Sequence, residues 1–398
     1  MEKIKAGIIG YGQRSVGMMK LLFQMPEKVD IVAVCDLYPD RVADAQKAVK
    51  EALGYDCYGT SDVYELIDHP EVNTVYIFAS WEAHIPLAIY AMKAGKAVAC
   101  EVAGAYSIEQ CWDLVKTYEE TKTPIMMLEN CCYGKRELMC LNMAQQGFFG
   151  QIVHMDGAYC HDLRGEISDG NIIRHYRLRN YINRNCENYP THEIGPIARV
   201  LGINHGNRFL SVSSFSSKAA GLEQYIKDRP EKYPDLQEQR FNQGDVVTTV
   251  LTCAGGQTVR LTLETTIPRF YTRQFSVHGT KGSYFEDNDS IFEDGNEEHL
   301  KDELRWKPQW GNAEKFEEKY LHPLWKEYIA TGIKHGHGGM DWLALTDFAD
   351  SLLAGKPMPI DVYDMATWMA ITALSEQSIA QGGAPVAFPD FTNGKWVL

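Results

Sequence analysis

No run of apolar residues in this 398-residue chain is long enough to span a bilayer, so a membrane-crossing helix is not expected. Basic charge is scarce: 39 Lys and Arg stand against 53 Asp and Glu, a formal net charge of −14. Nucleic acid and anionic membrane surfaces need a basic footprint, so neither is expected as a partner. No secretory leader is visible before the first strand-like segment, and a cytoplasmic location is the expectation. The ten cysteines include no C-x-x-C pair, and Cys131 and Cys132 are adjacent, a poor arrangement for a disulfide between them. Cys35 and Cys100 lie in apolar runs and read as buried free thiols of a reducing compartment. There is no internal repeat and no low-complexity tract. With 45% hydrophobic and 23% charged residues, the composition is that of a globular chain long enough for two domains.

The first part alternates short apolar runs (4–9, 29–35, 74–79, 97–100 and 124–128) with amphipathic stretches (15–24, 40–53, 83–93 and 108–118). All-apolar strands alternating with helices predict a parallel sheet covered on both faces, an α/β Rossmann dinucleotide-binding domain over residues 1–130. Residues 131–398 read as a second, α+β domain for substrate. A helix over 136–146 precedes β-rich segments at 151–159, 245–252, 258–266 and 274–279. Gly255-Gly256 reads as a hairpin turn, so the sheet is expected to be open and mainly antiparallel. Helices return at 195–201, 342–353 and 365–380, and the last ones are expected to pack back on the first domain. The acidic stretch 286–303 reads as a solvated loop.

The first strand runs into Gly10-Tyr11-Gly12-Gln13-Arg14-Ser15. Gly10 allows a tight turn and Gly12 lets the backbone approach a pyrophosphate on the next helix's positive end. The third fingerprint position is Ser15 rather than glycine, so the motif is degenerate; its strand–turn–helix setting supports it. Asp36 ends the second strand, where a carboxylate accepts the adenosine ribose hydroxyls and repels a 2′-phosphate, favouring NAD over NADP. Trp81, Glu82, Ala83 and His84, then Glu101 and Val102, then Asn130 follow the later strands and complete a cofactor rim. A second cluster holds Tyr159 to Arg164, Arg174 to Arg177 and Glu187 to Glu193, polar and aromatic groups between a strand and a helix that suit a sugar. Asn188 or Thr191 is expected to cap that helix. The His335–Asp341 segment carries two histidines, but its glycines and single-residue spacing fit a loop before a helix better than a metal site, and no metal is expected.

The domain order, the Gly-Tyr-Gly-Gln-Arg turn and Glu101 resemble the Gfo/Idh/MocA oxidoreductase family. In its dehydrogenases the latter segment reads Glu-Lys-Pro with a catalytic lysine; here it reads Glu101-Val102-Ala103. An aspartate often found four residues before the active-site histidine is Asn188 here. These departures, with the segments 133–142, 157–164, 176–181, 185–199, 322–325 and 337–342, resemble one branch: glycoside hydrolase family 109, NAD-dependent α-N-acetylgalactosaminidases. The resemblance implies that Gln13, Arg14, Asp36, Trp81, Glu82, Ala83, His84, Glu101, Val102 and Asn130 line NAD. It also implies that Tyr159, Arg177, Tyr189, Pro190, Thr191, His192 and Tyr271 contact the sugar, with Tyr189 touching the nicotinamide too. The implied route is oxidation at sugar carbon 3, proton loss at carbon 2, departure of the glycosidic oxygen from carbon 1, addition of water, and return of the hydride. The cofactor is then tightly bound and not consumed. His192 and Tyr189 are the candidates for proton transfer.

The expected partner is a terminal GalNAc-bearing glycan or glycoside, with homo-oligomerisation through the second-domain sheet. The competing readings are an NAD-dependent sugar or inositol dehydrogenase and an inert NAD-binding sensor. Val102 argues against the first and the polar cluster around His192 against the second.

Overall fold

The computed structural model describes residues 2–300, 307–333 and 336–397. It divides into two compact units: Met1–Asn130 with Ile333–Ala370, and Cys131–Gly332 with Ile371–Leu398. By contacts, the internal segment 333–370 groups with the first unit. Among the described residues no helix is long and apolar enough to cross a membrane.

The first unit is a six-stranded parallel sheet of β1 (Ile4–Ile9), β2 (Val29–Cys35), β3 (Tyr58–Thr60), β4 (Thr74–Ile77), β5 (Ala97–Cys100) and β6 (Ile125–Met127). The order β3-β2-β1-β4-β5-β6 is that of a Rossmann sheet, which reverses direction between β1 and β4. β4, β5 and β6 are buried at every position because helices cover both faces. Each fully buried Val or Ile contributes roughly 1.5–3 kcal/mol. The edge strand β3 was not anticipated; its three residues are half exposed and carry no apolar run. The segment 333–370 adds the helix Met340–Ala354, whose Phe348 packs edge-on against Tyr76 of β4 with ring centroids 5.6 Å apart. His335 lies outside the described residues, and the rest of its segment is a glycine-rich loop leading into that helix.

Among the described residues the second unit is built on eight strands: β7 (Ile152–Cys160), β8 (Phe209–Ser216), β9 (Val246–Cys253), β10 (Thr258–Glu264), β11 (Ser276–Gly279), β12 (Gly282–Phe285), β13 (Ser290–Glu293) and β14 (Val386–Ala387). Their order is β13-β12-β11-β7-β10-β9-β8-β14. Every pairing is antiparallel except β7 with β10, which is parallel, so the sheet is mainly antiparallel. The β9–β10 turn is closed by Cys253 N–H on the Gln257 carbonyl at 2.9 Å, with Gly256 at φ +87°. β13 falls inside the stretch expected to be a loop: its apolar pair Ile291-Phe292 is hidden between acidic neighbours, and pairing with β12 forms the strand.

Strand register gives the sheet two unlike faces. Met155, Gly157, Tyr159, Val259, Leu261 and Leu251 point to the buried side. There Ile197 and Glu193, on the helix Thr191–Leu201, come so close that a Cβ on Gly157 would lie 2.9 Å from Ile197 Cδ1. On the other face Asp156 is shared by His154 at 3.1 Å, His278 at 3.2 Å and Arg260 at 2.7 Å. Phe215, Val250, Phe285 and Phe292 are exposed on that same face.

Candidate active site

In the first unit the candidate residues follow the carboxyl ends of the strands, where parallel sheets bind ligands. Gly10 has φ +88°, and a Cβ on it would sit 2.8 Å from the Phe78 carbonyl oxygen, so only glycine fits. Gly12 starts the helix Gln13–Leu22 without a side-chain cap, and a Cβ there would meet nothing within 4 Å. Space is thus open in front of a helix's positive end. Ser15 is fully buried, and its hydroxyl has no hydrogen-bond partner. Asp36 is buried; Oδ2 accepts the Tyr11 N–H at 2.7 Å and Oδ1 the Tyr38 N–H at 3.0 Å. Arg41 also approaches Oδ2, at 3.9 Å; a carboxylate has about four acceptor positions, which leaves room for a hydroxyl.

Trp81, Glu82, Ala83 and His84 form the first turn of the helix Trp81–Lys93. Burial pushes His84 down to about 4, so it is neutral near pH 7, and its Nε2 donates to the Ala79 carbonyl at 2.9 Å. Arg14 Nε donates to Glu101 Oε1 at 2.7 Å, while Glu101 Oε2 accepts the N–H of buried Val102 at 3.1 Å. Arg14 also grips Asp341 with both terminal nitrogens, at 2.8 and 2.9 Å, and buried Asn130 donates to the same carboxylate at 2.7 Å.

In the second unit Tyr159, near the end of β7, is the hub of an aromatic cluster. Ring centroids lie 4.5 Å from Tyr189, 5.6 Å from His192 and 6.4 Å from Tyr271; Tyr189 and His192 are 4.7 Å apart. The Arg177 guanidinium lies over the Tyr189 ring at 5.1 Å and 3.1 Å from Glu166. His161, within 5.2 Å of Tyr271, extends the cluster. Burial raises the Tyr159 and Tyr271 hydroxyls and lowers His161; positive Arg177 offsets part of the rise at Tyr159. Tyr271 is tied down by its neighbour Thr272, which exchanges backbone bonds with Cys160 at 3.1 and 3.2 Å.

The helix carrying His192 begins at Thr191, not at Gly195, and neither Asn188 nor Thr191 caps it. Pro190 holds the cap position with φ −70°, and no side-chain cap bond forms. A proline pre-set to helical φ starts the turn unaided; Thr191 then lies inside the helix with its hydroxyl buried and without a hydrogen-bond partner.

Comparisons with known proteins bear on the family and the fold. The description "Glycosyl hydrolase 109, C-terminal domain" matches residues 133–398, and "Oxidoreductase family, NAD-binding Rossmann fold" matches residues 4–128. A glycosyl hydrolase family 109 protein of Stenotrophomonas maltophilia is 40% identical, over 99% of this chain and 90% of its own. The chain belongs to glycosyl hydrolase family 109. An α-N-acetylgalactosaminidase of Bacteroides fragilis is 36% identical over 100% of this chain and 93% of its own, and one of Tannerella forsythia 35% over 99% and 87%. Among solved structures, a levoglucosan dehydrogenase in complex with NADH and levoglucosan superposes with TM-score 0.70 at 18% identity, over 97% of this chain and 100% of its own. That likeness is one of fold.

This family 109 chain thus has an NAD-binding Rossmann domain, and its residues fit the group. The open space beside Gly12 admits a pyrophosphate at the helix end, and the spare acceptor capacity of Asp36 suits a ribose hydroxyl. The reading of the sequence missed two features. Asp341, 327 residues from Arg14, was read as part of a histidine-rich loop and of the segment 337–342, not as the partner of Arg14. Glu187 and Glu193 flank the Tyr189–His192 run and are both fully buried. Burial raises both carboxyls, Glu187 to about 8, so they are held protonated rather than as two charges. Nothing local marked them; both lie in a run rich in polar residues that reads as solvated.

Proposed function

We propose that this family 109 member is a glycosidase releasing terminal N-acetylgalactosamine, with NAD tightly bound and regenerated within each turnover. When bound, NAD⁺ supplies reversible acceptance of the hydride from carbon 3 of the sugar. Gln13, Arg14, Asp36, Trp81 to His84, Glu101, Val102 and Asn130 hold that cofactor, Asp36 through the ribose hydroxyls. Tyr159, Arg177, Pro190, Thr191 and Tyr271 orient the sugar, rings against its apolar faces and the guanidinium toward its oxygens. The His192 ring nitrogen and the Tyr189 hydroxyl carry the protons exchanged at carbon 2 and at the leaving glycosidic oxygen. A glycoside is the partner proposed, and the exposed sheet face with Phe215 and Phe292 is the surface proposed for self-association. Ten buried free thiols suit a reducing, cytoplasmic setting.

The observation that supports hydrolysis over net dehydrogenation is Val102: apolar and buried, it cannot serve as the lysine that dehydrogenases of this fold carry after the glutamate. The test is a panel of chromogenic α- and β-glycosides assayed without added NAD while absorbance of NADH is followed. Release of the chromophore from the α-N-acetylgalactosaminide with no net NADH supports the proposal. NADH accumulating in step with sugar consumed supports a dehydrogenase instead.

A further inference from the structure

Within the first unit, one carboxylate gathers groups from across the cofactor rim. Asp341 accepts from Arg14, in the turn after β1, at 2.8 and 2.9 Å, and from Asn130, after β6, at 2.7 Å. His337 Nδ1 is 2.7 Å from the same carboxylate. Arg14 in turn holds Glu101, after β5, at 2.7 Å. In the order β1-β4-β5-β6 this network runs from the switch point to the far strand. It therefore ties together segments that follow β1, β5 and β6, which border the crevice where such a sheet binds a dinucleotide.

The approach to Asp341 is built to seat it. Gly336, His337, Gly338 and Gly339 all have positive φ, at +108°, +44°, +66° and +102°. A Cβ on Gly336 would lie 2.9 Å from Leu21 Cδ1 and 3.0 Å from Asp341 Cβ. The three glycines take positive φ freely, but a histidine held there persists only where the surroundings over-determine it. Asp341 is buried in the first turn of its helix, where the helix's positive end favours a carboxylate, and its partners hold it well below the usual carboxylate range. A simple dehydrogenase must exchange its cofactor every turnover. A cofactor regenerated in place works best if it does not leave.

We propose that Asp341 is a positioning residue that retains the cofactor, closing the rim of the dinucleotide crevice through Arg14 and Asn130 so that NAD stays resident between turnovers. This rests on the reading that NAD is tightly held and not consumed. Purified wild type and Asp341→Asn are each loaded with NAD and passed through gel filtration. The nicotinamide remaining per chain is quantified after acid release, and the dissociation rate is followed by exchange against NADH fluorescence. Wild type should keep its cofactor. Asp341→Asn should release NAD on the order of tenfold faster or more, as expected when a partly buried charge pair is broken, and its turnover should become dependent on added NAD. A purely structural fault would lower the melting temperature without raising the off-rate of the loaded protein. If Asp341→Asn does not fold, His337→Ala, altering a largely exposed side chain, must still speed release. Wild type that itself loses NAD defeats the resident-cofactor reading. Wild type that keeps NAD, with a folded variant that keeps it equally well, overturns the role of Asp341 alone.

Discussion

Replacing Glu187 with Gln should stabilise the protein at neutral and alkaline pH and do little at pH 5. Burial lifts the folded Glu187 carboxyl from its ordinary 4.5 to about 8, so folding at pH 7 requires it to take up a proton that the unfolded chain has released. The folded state binds more protons than the unfolded state between those two values, so stability falls as pH rises through that window and levels off above it. Each pKa unit corresponds to about 1.4 kcal/mol, so the accumulated penalty reaches a few kcal/mol by pH 8. Glutamine keeps the shape, needs no proton and offers an N–H donor to Glu193. Melting curves of both proteins from pH 5 to 9 isolate the effect as a difference. The two should melt within a degree or two of each other at pH 5, and the variant should gain about 5–10 °C by pH 8. Parallel curves across that range would show that Glu187 is ionised in the fold and refute the reasoning.

Asp36→Ala should weaken NAD binding by about 1.5–3 kcal/mol per lost charge-assisted hydrogen bond, read by calorimetry; unchanged affinity would remove Asp36 from the cofactor site. His192→Ala should lower kcat by roughly 10²–10⁴-fold while leaving NAD binding largely intact, and Tyr189→Phe separates the ring from its hydroxyl in the same assay. A substrate deuterated at carbon 2 should show an isotope effect or loss of label; full retention with no isotope effect would indicate direct displacement. Gly10→Ala should be destabilised by roughly 1–3 kcal/mol from backbone strain alone, because a Cβ has no room at φ +88° beside the Phe78 carbonyl; a melting temperature equal to wild type would contradict that.

The parallel sheet was legible because burial on both faces leaves runs such as Val98 to Cys100 with no polar interruption. β8 was not, because serines stand where apolar residues would be expected: buried Ser214 is matched to Thr249 by a 2.9 Å hydroxyl contact, so a polar residue does a core residue's work. Sequence separation hides other facts. Asp341 and Arg14 meet only after 327 residues of chain have folded between them, and no local pattern encodes that pairing. The burial of Glu193 depends on how closely its helix approaches the sheet, which the absent side chain of Gly157 permits, and Glu187 is buried in the loop before that helix. The Tyr159–Tyr189–His192 grouping was legible in kind, as a dense polar and aromatic segment, but its geometry comes from β7 and the Thr191 helix packing together.

The segment 333–370 has a consequence for synthesis. A ribosome that has delivered residues 1–130 has supplied every strand of the first sheet but not its closing pieces. Phe348, which covers Tyr76, and the Met369 carbonyl, which accepts the Ala105 N–H at 2.9 Å, emerge more than two hundred residues later. The nascent nucleotide-binding half must therefore wait with an apolar flank uncovered while the other unit is made. A chain cut short before residue 370 would lack part of its own first unit.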